Sequence, residues 1–382
     1  MPEANDLSGP PRCEAFDIFD SQRFPNLVTT TDGAVLATWG ADELLSRRST
    51  DGGATWEPAV TIGPGLQAGG TLVDESGGDV LAFAHPEHPP HKDRERFARR
   101  TMYRSTDGGR SWRSEDATYH ADVNGHVPAL HYAEHGIALQ YGRHAGRLLR
   151  PARVYGKADG YNTAVYSDDH GRTWQAGAPF PVFGTGEGAI AERRDGTLYY
   201  SSRKHYFEED EPRRAERLHA VSRDGGHTWV EPAYHKNLPD GPRYRGAEKR
   251  AACWNGHFGM AGGLTRLPVP DRDIFIYSNA DQPEHTRHRM TLWASFDGGR
   301  TWPVKRRVDE GPGAYSSLTA GRPGTPGAGW IYLLFERWLD RPGRIGPDSA
   351  GRFVRCNLSW ILGGEPTGDG RVPDDIEAPG VA

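Results

Sequence analysis

Short strand-like runs recur along the chain, and several are closed by nearly the same polar turn. Met102-Tyr103-Arg104 leads into STDGGRSW at 105–112, Thr163-Ala164-Val165-Tyr166 into SDDHGRTW at 167–174, and Thr291-Leu292-Trp293-Ala294 into SFDGGRTW at 295–302. STDGGATW at 49–56 and SRDGGHTW at 222–229 complete a set of five. Their aspartates, Asp51, Asp107, Asp169, Asp224 and Asp297, stand 56, 62, 55 and 73 residues apart, the spacing of a repeat architecture. Asp-Gly-Gly between two strands predicts a hairpin, because glycine takes the positive φ that such a turn requires. The aspartate can bond neighbouring N–H groups, the Ser and Thr hydroxyls can add weaker bonds, and the closing Trp offers an apolar face beside the turn. The repeat is therefore structural and is not itself an active site.

Composition agrees with this pattern. The 382 residues include 49 Gly, 29 Pro and 11 Trp, five of which close the repeats. That profile fits an all-β chain of many short strands. A closed repeat array holds this length as one domain. No stretch of 18 apolar residues is present, so no membrane span is expected. The first 17 residues lack a basic start and an apolar run, so no secretory signal is visible and cytoplasmic residence is the expectation, with export left open. Charges of both signs are mixed around a net −5, and the basic run HKDRERFARR at 91–100 reads as a solvated loop rather than a nucleic-acid patch. Neither nucleic acid nor membrane is expected as a partner, and the oligomeric state is open. Cys13, Cys253 and Cys356 are odd in number and scattered, with neither metal spacing nor a disulfide framework, and read as reduced, mostly buried thiols.

The five turns resemble the Asp-box, S-x-D-x-G-x-T-W, of sialidase-type β-propellers. The resemblance implies a six-bladed β-propeller of four-stranded antiparallel blades with five Asp-box turns, the last blade lacking one. The expected organisation is an N-terminal extension at 1–15, one catalytic propeller at 16–363 and a loose tail at 364–382. The strand-like stretch 353–361 is expected to close the ring beside Phe16–Phe19.

The same resemblance assigns chemistry. A 2-keto sugar acid carries a carboxylate on its anomeric carbon, so several arginines have to converge on it. A carboxylate nucleophile would be repelled by that charge, whereas a tyrosine that gives its proton to a glutamate would not. QRFPNLV resembles the Arg-Ile-Pro motif of the family's first blade, which points to Arg23, with Phe24 in place of isoleucine. HGIALQYGRHAGRLLRPAR, ending at Arg153, resembles the segment before the third box. GTGEGAIAERRDGTLYYSSRK points to Glu187 as proton acceptor and Arg203 as second carboxylate arginine, and TRHRMTLW to Arg287 as the third. GAYSSLT points to Tyr315 as nucleophile, and LLFER to Glu336 as the group that orients Arg23. Each of these residues alone has an ordinary reading as a surface charge, a bonded tyrosine or a turn cap. Their collinear order over nearly the whole chain is more specific than any one motif.

The first blade departs from the family. Ala37–Leu45 lacks the expected "-E-x-R" pair and its loop is shorter. Asp42 is the candidate acid/base catalyst, with Glu43 beside it, and Asp93, Glu95 or a histidine of 85–91 are substitutes. The missing arginine, with Trp39 nearby, suggests a sugar other than N-acetylneuraminic acid or a different seating. HPEHPPH at 85–91 has a metal-like composition but is proline-broken and reads as a solvated loop. Trp254 and His257 line the pocket or belong to a packed strand. No metal or organic cofactor is called for.

The expected activity is therefore retaining hydrolysis of α-ketosides of sialic acid or a related 2-keto-3-deoxy sugar acid (Kdn/Kdo type). A lyase or hydrolase acting on uronate-containing polysaccharide and a non-catalytic carbohydrate-binding propeller are the rival readings.

Overall fold

A computed structural model describes residues 9–20, 23–40, 42–85, 97–130, 134–156, 158–208, 211, 216–240, 259–281, 287–338 and 349–376. The strands fall into four-stranded antiparallel sets. The first holds β2 (Asn26–Thr29), β3 (Val35–Trp39), β4 (Glu43–Ser49) and β5 (Val60–Pro64), preceded in the chain by β1 (Cys13–Phe19). The next holds β6 (Leu66–Val73), β7 (Val80–His85), β8 (Phe97–Ser105) and β9 (Arg113–His120). Then come β10 (Ile137–Ala138), β11 (Leu148–Val154), β12 (Tyr161–Ser167) and β13 (Thr173–Ala176). The following set is β14 (Thr185–Glu192), β15 (Leu198–Lys204), β16 (Glu216–Ser222) and β17 (Val230–Pro239). After it, β18 (Leu264–Arg266), β19 (Phe275–Ala280) and β20 (His288–Ser295) pair in order with the first part of β21 (Val304–Ala320). The second part of β21 opens a last set with β22 (Ile331–Trp338) and β23 (Ser349–Cys356), whose fourth strand is β1.

Each of the five repeated turns joins the third and fourth strands of its set. The last set has β23 and β1 in those places, and these come from opposite ends of the chain. It therefore has no turn there in which a box could form.

Innermost strands pack one on the next from β2 through β6, β10 and β11, β14, β18 and β21, and β21 returns to β2. Apolar cores fill the spaces between neighbouring sheets. Leu72 and Leu81 meet Leu148 and Val165, Leu149 and Tyr166 meet Tyr200 and Leu218, and Leu292 meets Leu333 and Val354. Tyr332 and Phe353 of the last set meet Leu27 and Val35 of the first, so burial itself closes the ring.

The turn works as its residue types predict. In the first, Asp51 Oδ1 accepts the N–H groups of Ala54 and Thr55 at 2.9 Å, and Oδ2 accepts the Thr55 hydroxyl at 2.6 Å. The same hydroxyl-to-Oδ2 bond spans 2.5–2.7 Å in the other four. These bonds outweigh the effect of partial burial and hold Asp51 and Asp107 down at about 2. A Cβ on Gly109 or Gly226 would lie 2.6 Å from Leu36 or Leu149 on the preceding sheet, so the turn also docks one sheet on another. The third turn has His170 where the others have glycine, at φ +61°, and its Nδ1 lies 2.7 Å from Asp74 Oδ2 on the neighbouring sheet.

Both ends differ from the expected boundaries. β1 begins at Cys13, inside the segment read as an extension, because Arg12 N–H donates to Asn357 Oδ1 at 3.0 Å and pins the seam. Phe16 pairs with Phe353 as expected, but the predicted closing strand stops at Cys356. Asn357 then caps a short helix, α1 (Leu358–Leu362), by accepting the Trp360 N–H at 3.1 Å. The tail is not loose through 376. Here β24 (Glu365–Pro366) pairs with β21, Arg272 binds Asp375, and Ile376 packs on the last core.

Candidate active site

One buried carboxylate organises the site. Glu187 lies in β14 at a break in its register with β15, between Thr185 and Gly188, and its backbone takes φ +68°. A bulge in the left-handed region re-aims a side chain at a cost, and such strain gathers at functional sites. Glu187 Oε2 accepts from Arg203 Nη1, and Oε1 accepts the Tyr315 hydroxyl at 2.8 Å. Arg153 Nη1 lies 4.0 Å from the same Oε1. Burial pushes the Glu187 carboxyl up, but Arg203 and Arg153 outweigh it and hold the group below the usual carboxylate range.

Tyr315 comes from the second part of β21, in the last set. Burial first, and then the Glu187 charge, raise its phenol above the ordinary value, against the pull of Arg203, Arg287 and Arg23. Arg203 Nη1 is 3.5 Å from the Tyr315 oxygen. The guanidinium carbons of Arg287 and Arg23 sit 5.1 and 5.4 Å from the Tyr315 ring centre. Three cations therefore surround one phenol.

Glu336 of β22 fixes Arg23. Its Oε1 and Oε2 accept from Arg23 Nε at 3.1 Å and Nη2 at 3.4 Å. The Phe24 N–H also donates to Oε1 at 3.1 Å. Phe24, the departure from the family motif, has φ +67° and stands 4.3 Å from the Arg23 guanidinium. Arg287 donates from Nη2 to the Gly259 carbonyl at 3.2 Å, while its buried Nη1 has no hydrogen-bond partner among the described residues. A buried donor left unbonded is costly unless a ligand completes it. Behind Arg203, the Lys204 N–H donates to Asp240 Oδ2 at 2.9 Å and secures the end of β15.

The structure thus brings together Arg23, Glu187, Arg203, Arg287, Tyr315 and Glu336. Asp42 makes no bond to any of them among the described residues. Asp42 occupies an exposed bend before β4 and not a strand, so strand alternation does not aim it. Its carbonyl accepts the Gly65 N–H at 3.0 Å, and its carboxylate makes no hydrogen bond or ion pair among the described residues. Glu43, exposed at the start of β4, lies outside the cluster's bonds too. Asp93, Glu95, His88, His91, Trp254 and His257 lie outside the described residues. Trp39 is buried and stacked on Phe19 with 23° between the rings, so its face is used by the core.

Sequence reasoning gave no role to Arg153, or to His205 and Tyr155 beside it. Arg153 Nη2 donates to His205 Nδ1 at 3.1 Å, and its guanidinium lies 4.2 Å from the Tyr155 ring. The RPAR match ends on Arg153, but nothing local distinguishes it from the other arginines of that segment.

Residues 68–326 match the BNR repeat-like domain family. The chain is 32% identical over 378 residues to a sialidase of Micromonospora viridifaciens, covering 90% of this chain. It spans 53% of that relative, about half the length of the curated relatives it matches. Among solved structures, the Hadza microbial sialidase Hz136 superposes with a TM-score of 0.64 at 23% identity, covering 89% of this chain and 66% of that one. The intramolecular trans-sialidase of Ruminococcus gnavus gives 0.64 at 14% identity, covering 91% and 97%.

Proposed function

We propose that this chain, which belongs to the BNR repeat-like domain family and the sialidase superfamily, is a retaining exo-glycosidase that cleaves α-ketosides of sialic acid or a related 2-keto-3-deoxy sugar acid. The observation that carries the reading is the bond from the Tyr315 hydroxyl to a glutamate held ionised among arginines. In this reading Arg23, Arg203 and Arg287 hold the substrate carboxylate, with Arg23 locked in place by Glu336. The Tyr315 oxygen attacks the anomeric carbon as its proton passes to Glu187, and the bond to the aglycone oxygen breaks. The substrate's carboxylate is attracted by the three cations, while the neutral phenol does not repel it. Water then cleaves the tyrosyl–sugar bond and restores the phenol.

Protonation of the leaving oxygen is assigned to Asp42, whose exposed bend follows Gly40, and the Gly40 N–H donates to the Arg23 carbonyl at 3.0 Å. Asp42→Asn should slow cleavage of alkyl ketosides by about 10² or more, and leave nitrophenyl ketosides nearly unchanged because their leaving group needs no proton. Equal effects on both substrates would remove Asp42 from this role.

The substrate is tested with aryl ketosides of N-acetylneuraminic acid, its deaminated analogue and 3-deoxy-octulosonic acid. Cleavage of the first is the expected result. Cleavage of the other two alone would assign the altered first blade a different sugar. Cleavage of none, with tight binding of a 2,3-unsaturated analogue, would make this a binding protein.

A further inference from the structure

The fold pairs two cysteines that stand far apart in sequence. Cys13 opens β1 and Cys356 ends β23, and the two are direct partners across the antiparallel seam that closes the ring. The neighbouring pair is Arg12 and Asn357, where the Asn357 N–H donates to the Arg12 carbonyl at 3.2 Å. Hydrogen-bonded and non-hydrogen-bonded pairs alternate along an antiparallel ladder, so Cys13 and Cys356 form a non-hydrogen-bonded pair. In such pairs the Cα atoms approach to about 4.5 Å, within the range of about 4.4–6.8 Å that a disulfide spans. Both sides of the pair are pinned. Arg12 N–H binds Asn357 Oδ1 at 3.0 Å, and Arg355 Nη2 binds Glu14 Oε2 at 2.6 Å.

We infer that Cys13 and Cys356 are the site of a cross-strand disulfide that latches the ring shut. Cys13 is exposed and Cys356 is buried, so Cys13 is the entry thiol and Cys356 the resolving one. The oxidant is a low-molecular-weight disulfide. The Cys13 thiolate attacks one sulfur, the oxidant's S–S bond breaks, and one thiolate leaves. The Cys356 thiolate then attacks the Cys13 sulfur of the mixed disulfide and expels the second. The protein loses two protons and two electrons, and the oxidant is reduced to two thiols. Partial burial pushes Cys13 up to about 11, and burial raises Cys356 well above the ordinary thiol value, with the Cys13 charge adding to it. Latching is therefore slow at neutral pH and speeds roughly tenfold per pH unit below that value. The bond joins β1 to β23 and closes nearly the whole chain into one loop, the arrangement that most restricts the unfolded state.

The test uses the full chain carrying Cys253→Ser, incubated with oxidised glutathione or with dithiothreitol, then alkylated and mapped by mass spectrometry. The expected result is a peptide pair cross-linked between residues 13 and 356. The thermal midpoint should rise by about 5 °C, reversibly with dithiothreitol. Cys13→Ser, an exposed and conservative change, should fold and show no oxidant-dependent rise. Glutathione held at Cys13 alone, two free thiols, or a cross-link with no rise in midpoint would each overturn the latch.

Discussion

Tyr315→Phe is expected to lower kcat on any ketoside the protein cleaves by roughly three orders of magnitude or more, with the fold intact. The substitution removes one oxygen. The ring keeps its place between the Arg23 and Arg287 guanidinium groups, and Glu187 keeps Arg203. The hydroxyl bond to Glu187 Oε1 and the longer one from Arg203 are lost, which costs about 1 kcal/mol of stability. In the proposed reading the arginines bind the substrate carboxylate, so KM should change far less than kcat. Steady-state kinetics with a thermal melt as control is the measurement. A variant that folds and turns over at near-normal rate would refute Tyr315 as nucleophile.

Glu187→Gln is expected to damage both activity and stability, which separates it from the first variant. In the proposed role of acceptor of the Tyr315 proton, Glu187 would contribute a factor of about 10²–10⁴ to kcat. It is also the counter-charge of Arg203, which is buried, and a neighbour of Arg153. Removing one partner of a buried ion pair strands the other, at a cost of about 3–5 kcal/mol. Glutamine keeps the volume and loses only the charge, so no cavity confuses the result. The pH dependence has a definite sign. The folded value is held below the ordinary 4.5, so the stabilisation is present above 4.5 and is lost as pH falls through the lower folded value. Urea melts of wild type and variant at pH 7 should differ by this amount and converge in acid. Equal stability at pH 7 would mean that Arg203 does not depend on Glu187.

Local chemistry made the architecture legible. An Asp-Gly-Gly turn bonds its own backbone within four residues, so five copies could be recognised from sequence and placed between strands. Even the absent box of the last set follows from chain order, because its third and fourth strands are β23 and β1. The candidate site was legible only by resemblance. Arg23 and Glu336 are 313 residues apart, and Tyr315 and Glu187 are 128 apart. No local pattern links groups at such separations, and only their order along the chain pointed to them.

By itself, then, the sequence determined the repeated turns, the strands around them and the all-β class, because these depend on bonds and φ preferences within a few residues. The tertiary structure decided what happens where distant strands meet. It aimed Glu187 through a bulge at φ +68°, put Arg153 beside it, and left Asp42 in an exposed bend. It also set Cys13 opposite Cys356, two thiols that sequence alone read as scattered. Ring closure is the physical reason. Burial of apolar faces between successive sheets brings the ends of the inner strands to one place and β1 against β23.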